Sequence, residues 1–394
     1  MGDTPRKSRA LARAVPTDLK VLMAHFSLPG SASSLRSLCL VRPMAAGSNV
    51  RSSATLLSEQ TVGEYLIARG IFRKDGVINA QELGGGVSNI VLAAQQGALR
   101  VVVKQALERL RVPDEWRAPR ERSITEADAL RLVAEVTPGS VPEVLDLDRE
   151  ACVLTIAAAP ADWTNWKERL LVGSADPQVA ACLGDLLGTW HAETFEDSDL
   201  EARFGSSQAF DELRIDPYYR TVQTRHPALS DSIHGYVQRM QATRACLVHG
   251  DYSPKNVLVG VGLWVIDFEV AHYGDPAFDL AFMLSHLLLK RLHVPQATSD
   301  LELCAEAFWG AYMDVTGGLC PSAAYVLGHV GCLMVARVDG KSRVEYLTDA
   351  ERAVARSIGS ELLCDPPGDI GEALALSDPC RIAPRRWSSA REVE

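Results

Sequence analysis

Two aspartates and one asparagine near the middle of the chain have the types and spacing that phosphoryl transfer requires. Asp251 and Asp267 each follow a short apolar run, and Asn256 lies five residues after the first and eleven before the second. Phosphoryl transfer depends mainly on positioning and on charge neutralisation, so Asp251 is predicted to orient the attacking hydroxyl. Asn256 and Asp267 would supply the hard oxygen ligands that Mg²⁺ prefers.

Three stretches surround these residues: HGDYSPKN at 249–256, IDFE at 266–269 and GDPAFDLA at 274–281. Asp and Asn also favour ordinary turns, which is the alternative for any one of them alone. The combination instead resembles the aminoglycoside phosphotransferase and choline kinase family, over roughly residues 80–345. HGDYSPKN is similar to that family's catalytic loop, and IDFE is similar to its metal-binding segment.

The resemblance implies an α+β fold of the protein-kinase-like type with two lobes. The N-lobe would hold a small antiparallel β-sheet and bind nucleotide, and the C-lobe would be mostly helical. It also implies that ATP and Mg²⁺ are used to phosphorylate a small molecule. We therefore expect an N-terminal extension at 1–57, disordered or processed, an N-lobe at 58–160, a C-lobe at 161–363 and a loosely ordered tail at 364–394.

Amino-acid composition and charge argue against several other classes of protein. The 394 residues are 47% hydrophobic, enough to bury a substantial core. A net charge of −10 argues against a general nucleic-acid surface, and no apolar run reaches the length of a membrane-spanning helix. Nine scattered cysteines are typical of reduced thiols in a cytoplasmic protein and do not indicate zinc. Residues 1–43 carry a net charge of +5, which suits a transit peptide, a disordered tail or an extension before a start at Met44.

The predicted N-lobe is built on three β-branched runs separated by glycines, at 77–83, 89–94 and 99–104. Glycine lets a backbone approach phosphate closely, and consecutive N–H groups form an anion-binding concavity. The turn between the first two runs is therefore predicted to bind nucleotide, although a plain hairpin turn is the alternative. Its residues are Gly84, Gly85, Gly86, Ser88 and Asn89.

Lys104 ends the third run and resembles the kinase lysine that contacts the α- and β-phosphates. Such a lysine needs a glutamate from the following helix, which apolar spacing predicts at 117–133. Glu126 and Glu121 are both candidates. We favour Glu126, because Glu-x-x-Ala-Leu is similar to the family's segment at this place.

The remaining pattern is mostly helical. Strands are expected at 142–147 and 152–157 with a hinge at 157–160, followed by helices at 176–190, 209–220, 228–243, 278–292, 301–315 and 323–335. Asp279 lies at the start of a strongly apolar helix, where a carboxylate must accept hydrogen bonds if it is buried. In the resembling family this residue supports the catalytic loop, so we expect Asp279 to contact the backbone of 249–251.

Arg337 and Lys341 are candidates for binding the acceptor, in the charged segment 336–347. Methylthioribose kinases, which this chain resembles in length and in its GGVSN loop, hold their sugar with arginines near the C-terminus. Those enzymes carry two neighbouring arginines, whereas Val338 follows Arg337 here. A solvated charged loop is the alternative.

These observations predict an ATP-dependent phosphotransferase acting on a hydroxyl of a sugar, an amino alcohol or an aminoglycoside-like molecule. Lys255 would add positive charge near the transferred group, or would be a surface lysine. A methylthioribose-kinase-like sugar kinase and a catalytically silent nucleotide-binding protein are the alternatives. The complete set of kinase-type residues disfavours the silent protein. We expect no nucleic-acid or membrane partner.

Overall fold

The β-branched runs of the N-lobe form a five-stranded antiparallel sheet, as predicted. The computed structural model describes residues 56–84, 88–111 and 116–377. The strands follow the order β1-β2-β3-β5-β4, so β3 is central. Lys104 lies opposite Val91 of β2 and Leu154 of β5, which places it in the middle of the sheet. The strands are β1 (Ile78–Glu82), β2 (Asn89–Gln96), β3 (Leu99–Ala106), β4 (Val144–Asp148) and β5 (Val153–Ala157).

Helix α1 (Val62–Ala68) precedes the sheet, and helix α2 (Arg122–Val136) packs against β3, β4 and β5. The helix α2 begins later than the 117–133 expected from the sequence. Arg117 instead pairs with Arg109 in an isolated antiparallel bridge, and Pro119 follows. An extended residue before a proline is the favoured conformation, so the helix starts only beyond this point.

The segment 208–225, α6, contains the main departure from regular helix. Its middle, Asp211–Arg220, is π-helical and contains Pro217, whereas the sequence predicted an ordinary helix at 209–220. Proline has no N–H to donate within a helical ladder, which interrupts regular α-helix here. π-Helical turns are rare and occur frequently at functional sites. This segment carries Arg214, whose Nε donates to the Gly250 carbonyl at 2.8 Å.

The helical core is built around α8 (Ala277–His293), which is buried on nearly all sides. It packs against α9 (Thr298–Thr316) and α10 (Ala323–Asp339). Helix α4 (Pro177–Glu193) packs on α9, and α11 (Asp349–Cys364) packs on α10. Asp176 caps α4 as predicted, because its carboxylate accepts from the N–H of Gln178 at 2.9 Å. The other helices are α3 (Trp166–Leu171), α5 (Ser198–Phe204) and α7 (Ser230–Ala242).

Short strands inside this helical part carry the motif residues. They form one antiparallel pair of β7 with β10 and one small sheet in the order β6-β8-β9. Asp251 follows β7, and Asp267 follows β9. The strands are β6 (Thr164–Asn165), β7 (Cys246–Val248), β8 (Val257–Val259), β9 (Leu263–Val265) and β10 (His272–Gly274).

The expectation of a loosely ordered tail from residue 364 is wrong as far as residue 377. Helix α12 (Ile370–Leu376) forms there, and Leu374 is buried. The buried guanidinium of Arg291 donates to the Leu374 carbonyl at 3.0 Å and to the Ser377 hydroxyl at 2.9 Å. Because a buried guanidinium needs acceptors, these contacts hold the segment on the core.

None of the helices in the described residues combines the length and the apolar composition that a membrane-spanning helix requires.

Close packing of α10 on α11 gives a test of this core. A Cβ on Gly331 would lie 2.5 Å from both the Gly359 carbonyl oxygen and the Leu363 nitrogen, which are backbone atoms. Gly331→Ala should therefore lower stability by about 1–3 kcal/mol through overpacking. Gly310→Ala in α9 is the matched control, because nothing lies within 4 Å of its Cβ position. Thermal unfolding should show a lower Tm for the first variant alone, and equal Tm values would contradict this packing.

Candidate active site

Asp251 lies at the centre of the predicted catalytic loop, and its side chain is 1% exposed. One carboxylate oxygen, Oδ2, is 2.9 Å from Nη2 of Arg214, 2.8 Å from Nζ of Lys255 and 2.8 Å from Nδ2 of Asn256. Burial alone would raise the pKa of this carboxyl, but the Arg214 and Lys255 charges bring it below its ordinary value. Asp251 is therefore ionised at neutral pH.

The other carboxylate oxygen of Asp251 is different. Oδ1 is buried and has no hydrogen-bond partner among the described residues. A buried ionised oxygen without a donor is unfavourable, so such an atom is a functional signal rather than a packing feature. It is available to accept from a hydroxyl group.

Asn256 is oriented by the same loop. Its Nδ2 donates to the backbone carbonyl of Asp251 at 2.9 Å as well as to the Asp251 carboxylate. Because the amide nitrogen is used in this way, the side-chain oxygen is left for another partner. An amide oxygen of this kind fits the hard-ligand preference of Mg²⁺.

Lys104 joins the sheet to the second motif. Its Nζ lies 2.6 Å from Oε1 of Glu126 and 2.6 Å from Oδ1 of Asp267. Burial would lower the pKa of the ammonium, but the two carboxylates raise it above its ordinary value. The same lysine, with Lys255, outweighs the effect of burial and lowers the pKa of Asp267. The structure thus pairs Lys104 with Glu126 rather than with the alternative, Glu121.

Asp267 has an uncommon backbone, with a φ of 75°. This left-handed conformation is rare for residues other than glycine, although Asp adopts it more readily than most. Such conformations are concentrated at functional sites, where the surrounding structure holds them. Within the described residues, no group of three or more His, Cys, Asp or Glu side chains could hold a metal ion. Two protein oxygens are nevertheless enough for Mg²⁺ that also binds water and substrate phosphates.

The glycine-rich turn is fixed at its far end by Glu269. The buried Glu269 carboxylate accepts from Ser88 Oγ at 2.7 Å, from Asn89 Nδ2 at 2.8 Å and from Arg122 Nε at 3.0 Å. The side chains of Ser88 and Asn89 are therefore used to attach the turn to the IDFE segment. Gly84 has open space around its Cβ position, whereas Gly85 and Gly86 lie outside the described residues.

The backbone of the catalytic loop is held by Asp279, as predicted. The two carboxylate oxygens accept from the N–H of His249 at 2.6 Å and from the N–H of Gly250 at 2.8 Å, and Asp279 is fully buried. Gly250 has a φ of 76°, and a Cβ there would meet the Val270 carbonyl oxygen at 2.8 Å. Glycine is therefore required at this turn.

His249 has a structural part in the same loop. Its Nδ1 accepts from the N–H of Asp251 at 3.1 Å, so the proton lies on Nε2, which is 3.2 Å from the Ile266 carbonyl. Burial lowers the pKa of His249 below its ordinary value, which keeps the ring neutral. This neutral histidine connects the predicted catalytic loop to Ile266, the residue before Asp267.

A family model matches the residues that build this site. The model describes the phosphotransferase enzyme family and matches residues 79–304, more than half of the chain. The chain belongs to the phosphotransferase enzyme family. The family predicted from the motifs is thereby confirmed.

Methylthioribose kinases are among the relatives that this chain matches. The enzyme of Pectobacterium atrosepticum is 29% identical over 265 residues, and the match covers 60% of this chain and 66% of that enzyme. The match therefore spans just under two thirds of this relative's length. A Bacillus cereus methylthioribose kinase is 24% identical, with 78% of this chain and 92% of that enzyme covered.

One solved structure supports the fold. It is a Ralstonia eutropha protein, provisionally named an aminoglycoside phosphotransferase, with a TM-score of 0.50 and 12% identity. The likeness covers 81% of this chain and 98% of that one. At this identity the likeness concerns the fold alone, and it confirms the predicted protein-kinase-like architecture.

The two candidate acceptor-binding residues, Arg337 and Lys341, have different surroundings in the structure. Arg337 lies in the last turns of α10, not in a charged loop, and its Nη1 is 3.1 Å from the Tyr218 hydroxyl and 2.8 Å from Ser342 Oγ. Lys341 is exposed and pairs with Asp216 at 2.7 Å. Arg337 is therefore close to the residues around Asp251, and Lys341 already has an exposed carboxylate partner.

Three residues of this site were missed by the sequence analysis. Glu269 was visible within IDFE, but the pattern gave it no partner. Arg122 is buried and donates to Glu269 and to the Ser88 carbonyl of the glycine-rich turn, and only its place in a predicted helix was readable from the sequence. Arg214 reaches Asp251 from a distant helix, and no local pattern marks it.

Removing Asp279 tests the loop support. Asp279→Ala leaves two buried N–H groups without acceptors, at a cost of about 1–3 kcal/mol each. We expect a clear loss of thermal stability together with a loss of activity, measured by Tm and by ATP turnover. Asp279→Asn keeps one acceptor oxygen, so its Tm and its activity should lie between those of the wild type and those of Asp279→Ala. A wild-type Tm for Asp279→Ala would contradict the assigned support.

Lys290 of α8 is expected to make the stability of the fold depend on pH. Its side chain is fully buried, and burial, together with the charges of Lys167 and Arg337, lowers its pKa to about 7, against the partial effect of Glu345. The unfolded lysine titrates near its ordinary value of 10.5. Between pH 7 and 10 the unfolded chain therefore binds more protons at this group, and the stability contributed by Lys290 rises with pH.

Lys290→Met removes this pH dependence. At pH 7 the variant should be more stable than the wild type, by an amount on the order of a few kcal/mol. The difference in the free energy of unfolding should shrink as the pH rises to 10. Chemical denaturation at a series of pH values measures it, and a difference that does not change with pH would contradict the lowered pKa.

Proposed function

We propose that the protein transfers the γ-phosphoryl group of ATP to a hydroxyl group of a small molecule, with Mg²⁺. The observation that carries this proposal is the carboxylate of Asp251, which is buried and ionised. Its Oδ2 is bound by Arg214, Lys255 and Asn256, and its Oδ1 has no partner within the described residues. Family membership and the methylthioribose kinase relatives support the reaction class.

Asp251 is proposed to bind the acceptor hydroxyl at Oδ1. A carboxylate with a lowered pKa is a weak base, so its main work is to orient the hydroxyl toward the phosphorus atom. It takes the proton late, as the transferred group bonds to the acceptor oxygen in a loose transition state. Lys255, 2.8 Å from Asp251 and partly exposed, would add positive charge beside the transferred group.

The nucleotide would be held on the opposite side of this centre. Lys104 is proposed to contact phosphates while Glu126 keeps its ammonium in position. The glycine-rich turn of Gly84, Gly85 and Gly86, with Ser88 and Asn89 attaching it to Glu269, is proposed to cover the phosphates by its backbone.

The metal-binding residues are proposed to be Asn256 and Asp267. The free amide oxygen of Asn256 and the ionised carboxylate of Asp267 fit Mg²⁺. When bound, Mg²⁺ neutralises the charge of the β- and γ-phosphates. Lys104 now occupies one oxygen of Asp267, and it would release this oxygen on turning toward the nucleotide.

A sugar related to methylthioribose is a second candidate for the acceptor substrate. The Bacillus cereus methylthioribose kinase is covered over 92% of its length, which favours a related sugar. Those enzymes are expected to carry two neighbouring arginines, whereas in this chain Arg337 is followed by Val338.

We also propose a cytoplasmic location, supported by the seven described cysteines, none of which forms a disulfide.

Asp251→Asn is the direct test of the catalytic role. Loss of a positioned hydroxyl-binding carboxylate should lower kcat by about 10²- to 10⁴-fold and leave ATP affinity nearly unchanged. Turnover is measured with the best acceptor from a panel of sugars, sugar acids and amino alcohols, and affinity by calorimetry. Asp75→Asn, an exposed aspartate of the N-lobe, is the matched control. A near wild-type kcat for Asp251→Asn would contradict the role.

A further inference from the structure

Beside the catalytic loop lies a group of buried and half-buried cationic and polar side chains that the proposed reaction does not use. They come from three separate parts of the helical region, namely α3, α8 and the segment from α10 to α11. We call this group the cationic cluster. Its members are Lys167, His286, Lys290, Arg337 and Tyr346.

Lys290 is the most unusual member. It is fully buried, and its Nζ has one weak contact, the His286 carbonyl at 3.5 Å, and a position 5.5 Å from the ring centre of Tyr346. Neither contact is a carboxylate. Buried lysines are normally paired with an anion, because an isolated buried charge is strongly unfavourable.

Other polar atoms of the cluster also lack partners. His286 Nε2, Arg337 Nε and the Tyr346 hydroxyl are buried and have no hydrogen-bond partner among the described residues. Buried polar groups in proteins are nearly always satisfied, so these three atoms have hydrogen-bonding capacity that a polar ligand could use. His286, at 4% exposed, is itself buried from solvent.

The charges around the cluster do not balance. Lys167 pairs with Glu345, a largely exposed carboxylate, and Glu345 is also the carboxylate that acts on Lys290. His293 pairs with Glu351 at 3.1 Å, and the centre of its ring lies 5.0 Å from that of Tyr346. Arg337, together with Lys290 when it is protonated, therefore leaves an excess of positive charge. Burial and these charges lower the pKa of His286 well below its ordinary value.

Two contacts connect the cluster to Asp251. On one side, Asn165 caps α3, two residues before Lys167, and donates to the Lys255 carbonyl at 2.5 Å. On the other side, Arg337 contacts the Tyr218 hydroxyl, and Tyr218 lies one helical turn from Arg214, the partner of Asp251. A small molecule with its hydroxyl at Asp251 would thus have the cluster next to it.

We propose that the acceptor carries an anionic group, a carboxylate or a phosphate, and that Lys290, His286, Arg337 and Tyr346 bind its oxygens. This proposal rests on the proposed function, because it identifies the acceptor of the same site. An anion would supply the missing partners and offset the excess positive charge. Cationic acceptors such as amino sugars are disfavoured by the same charges.

Three pairs of compounds that differ in charge test this proposal. They are D-glucuronate with D-glucose, D-ribose 5-phosphate with D-ribose, and glycerate with glycerol, and D-glucosamine is the cationic probe. Binding to the full chain is measured by calorimetry at matched ionic strength, with AMP-PNP and Mg²⁺ present to fill a nucleotide site. We expect at least one anion to bind about 10- to 100-fold more tightly than its neutral partner, as charge-assisted hydrogen bonds allow.

Substitutions test which residues cause the preference for anionic compounds over their neutral partners. Lys290→Met should abolish it, and this variant should fold at least as well as the wild type because it removes an unpaired buried charge. Arg337→Gln is the second variant and should weaken the preference. Lys74→Met, an exposed lysine of the N-lobe, should keep it. The proposal is wrong if no anion binds more tightly than its neutral partner, or if Lys290→Met retains the preference.

Turnover with MgATP separates this inference from the proposed function. A bound anion that gives no ADP and no phosphorylated product would count against phosphoryl transfer but not against the anion site. Neutral sugars phosphorylated with the same kcat/KM as their anionic partners would count against the anion site but not against phosphoryl transfer.

Discussion

The stabilisation of two ionised carboxylates, the buried Asp251 and the half-buried Asp267, is the constraint on which the rest of the site depends. A buried carboxylate is stable only if cations and donors compensate for lost hydration. Lys104 provides this for Asp267 from the centre of the sheet, and Arg214 and Lys255 provide it for Asp251 from the helical region. The requirement for paired charges thus brings the two parts of the fold together at one centre.

A second network positions these charges through the backbone. Asp279 holds the turn at Gly250, His249 joins that turn to the strand before Asp267, and Glu269 attaches the glycine-rich turn to the same segment. Each of these groups is buried and contacts its partners directly. Loss of one would displace several functional groups, because positioning is most of what phosphoryl transfer asks of a protein.

The sequence revealed those parts of the site that are local in the chain. Asp251, Asn256 and Asp267 lie within one short stretch, and Lys104 and Glu126 were found because a strand and the next helix have clear periodicity. Arg214 could not be found, because its approach to Asp251 depends on a π-helical segment around Pro217. The tail was misjudged because α12 is held by Arg291, a tertiary contact. The capping box of Thr348 and Glu351, in contrast, was readable and was overlooked.

The metal dependence of ATP affinity tests the central arrangement most directly. Calorimetric titration of ATP, with and without Mg²⁺, is made on the wild type, on Asp267→Ala and on the Asp75→Asn control. If Asp267 exchanges Lys104 for the metal, Mg²⁺ will strengthen ATP binding to the wild type and the control but have little effect on Asp267→Ala. An equal effect of Mg²⁺ on all three proteins would contradict the assignment.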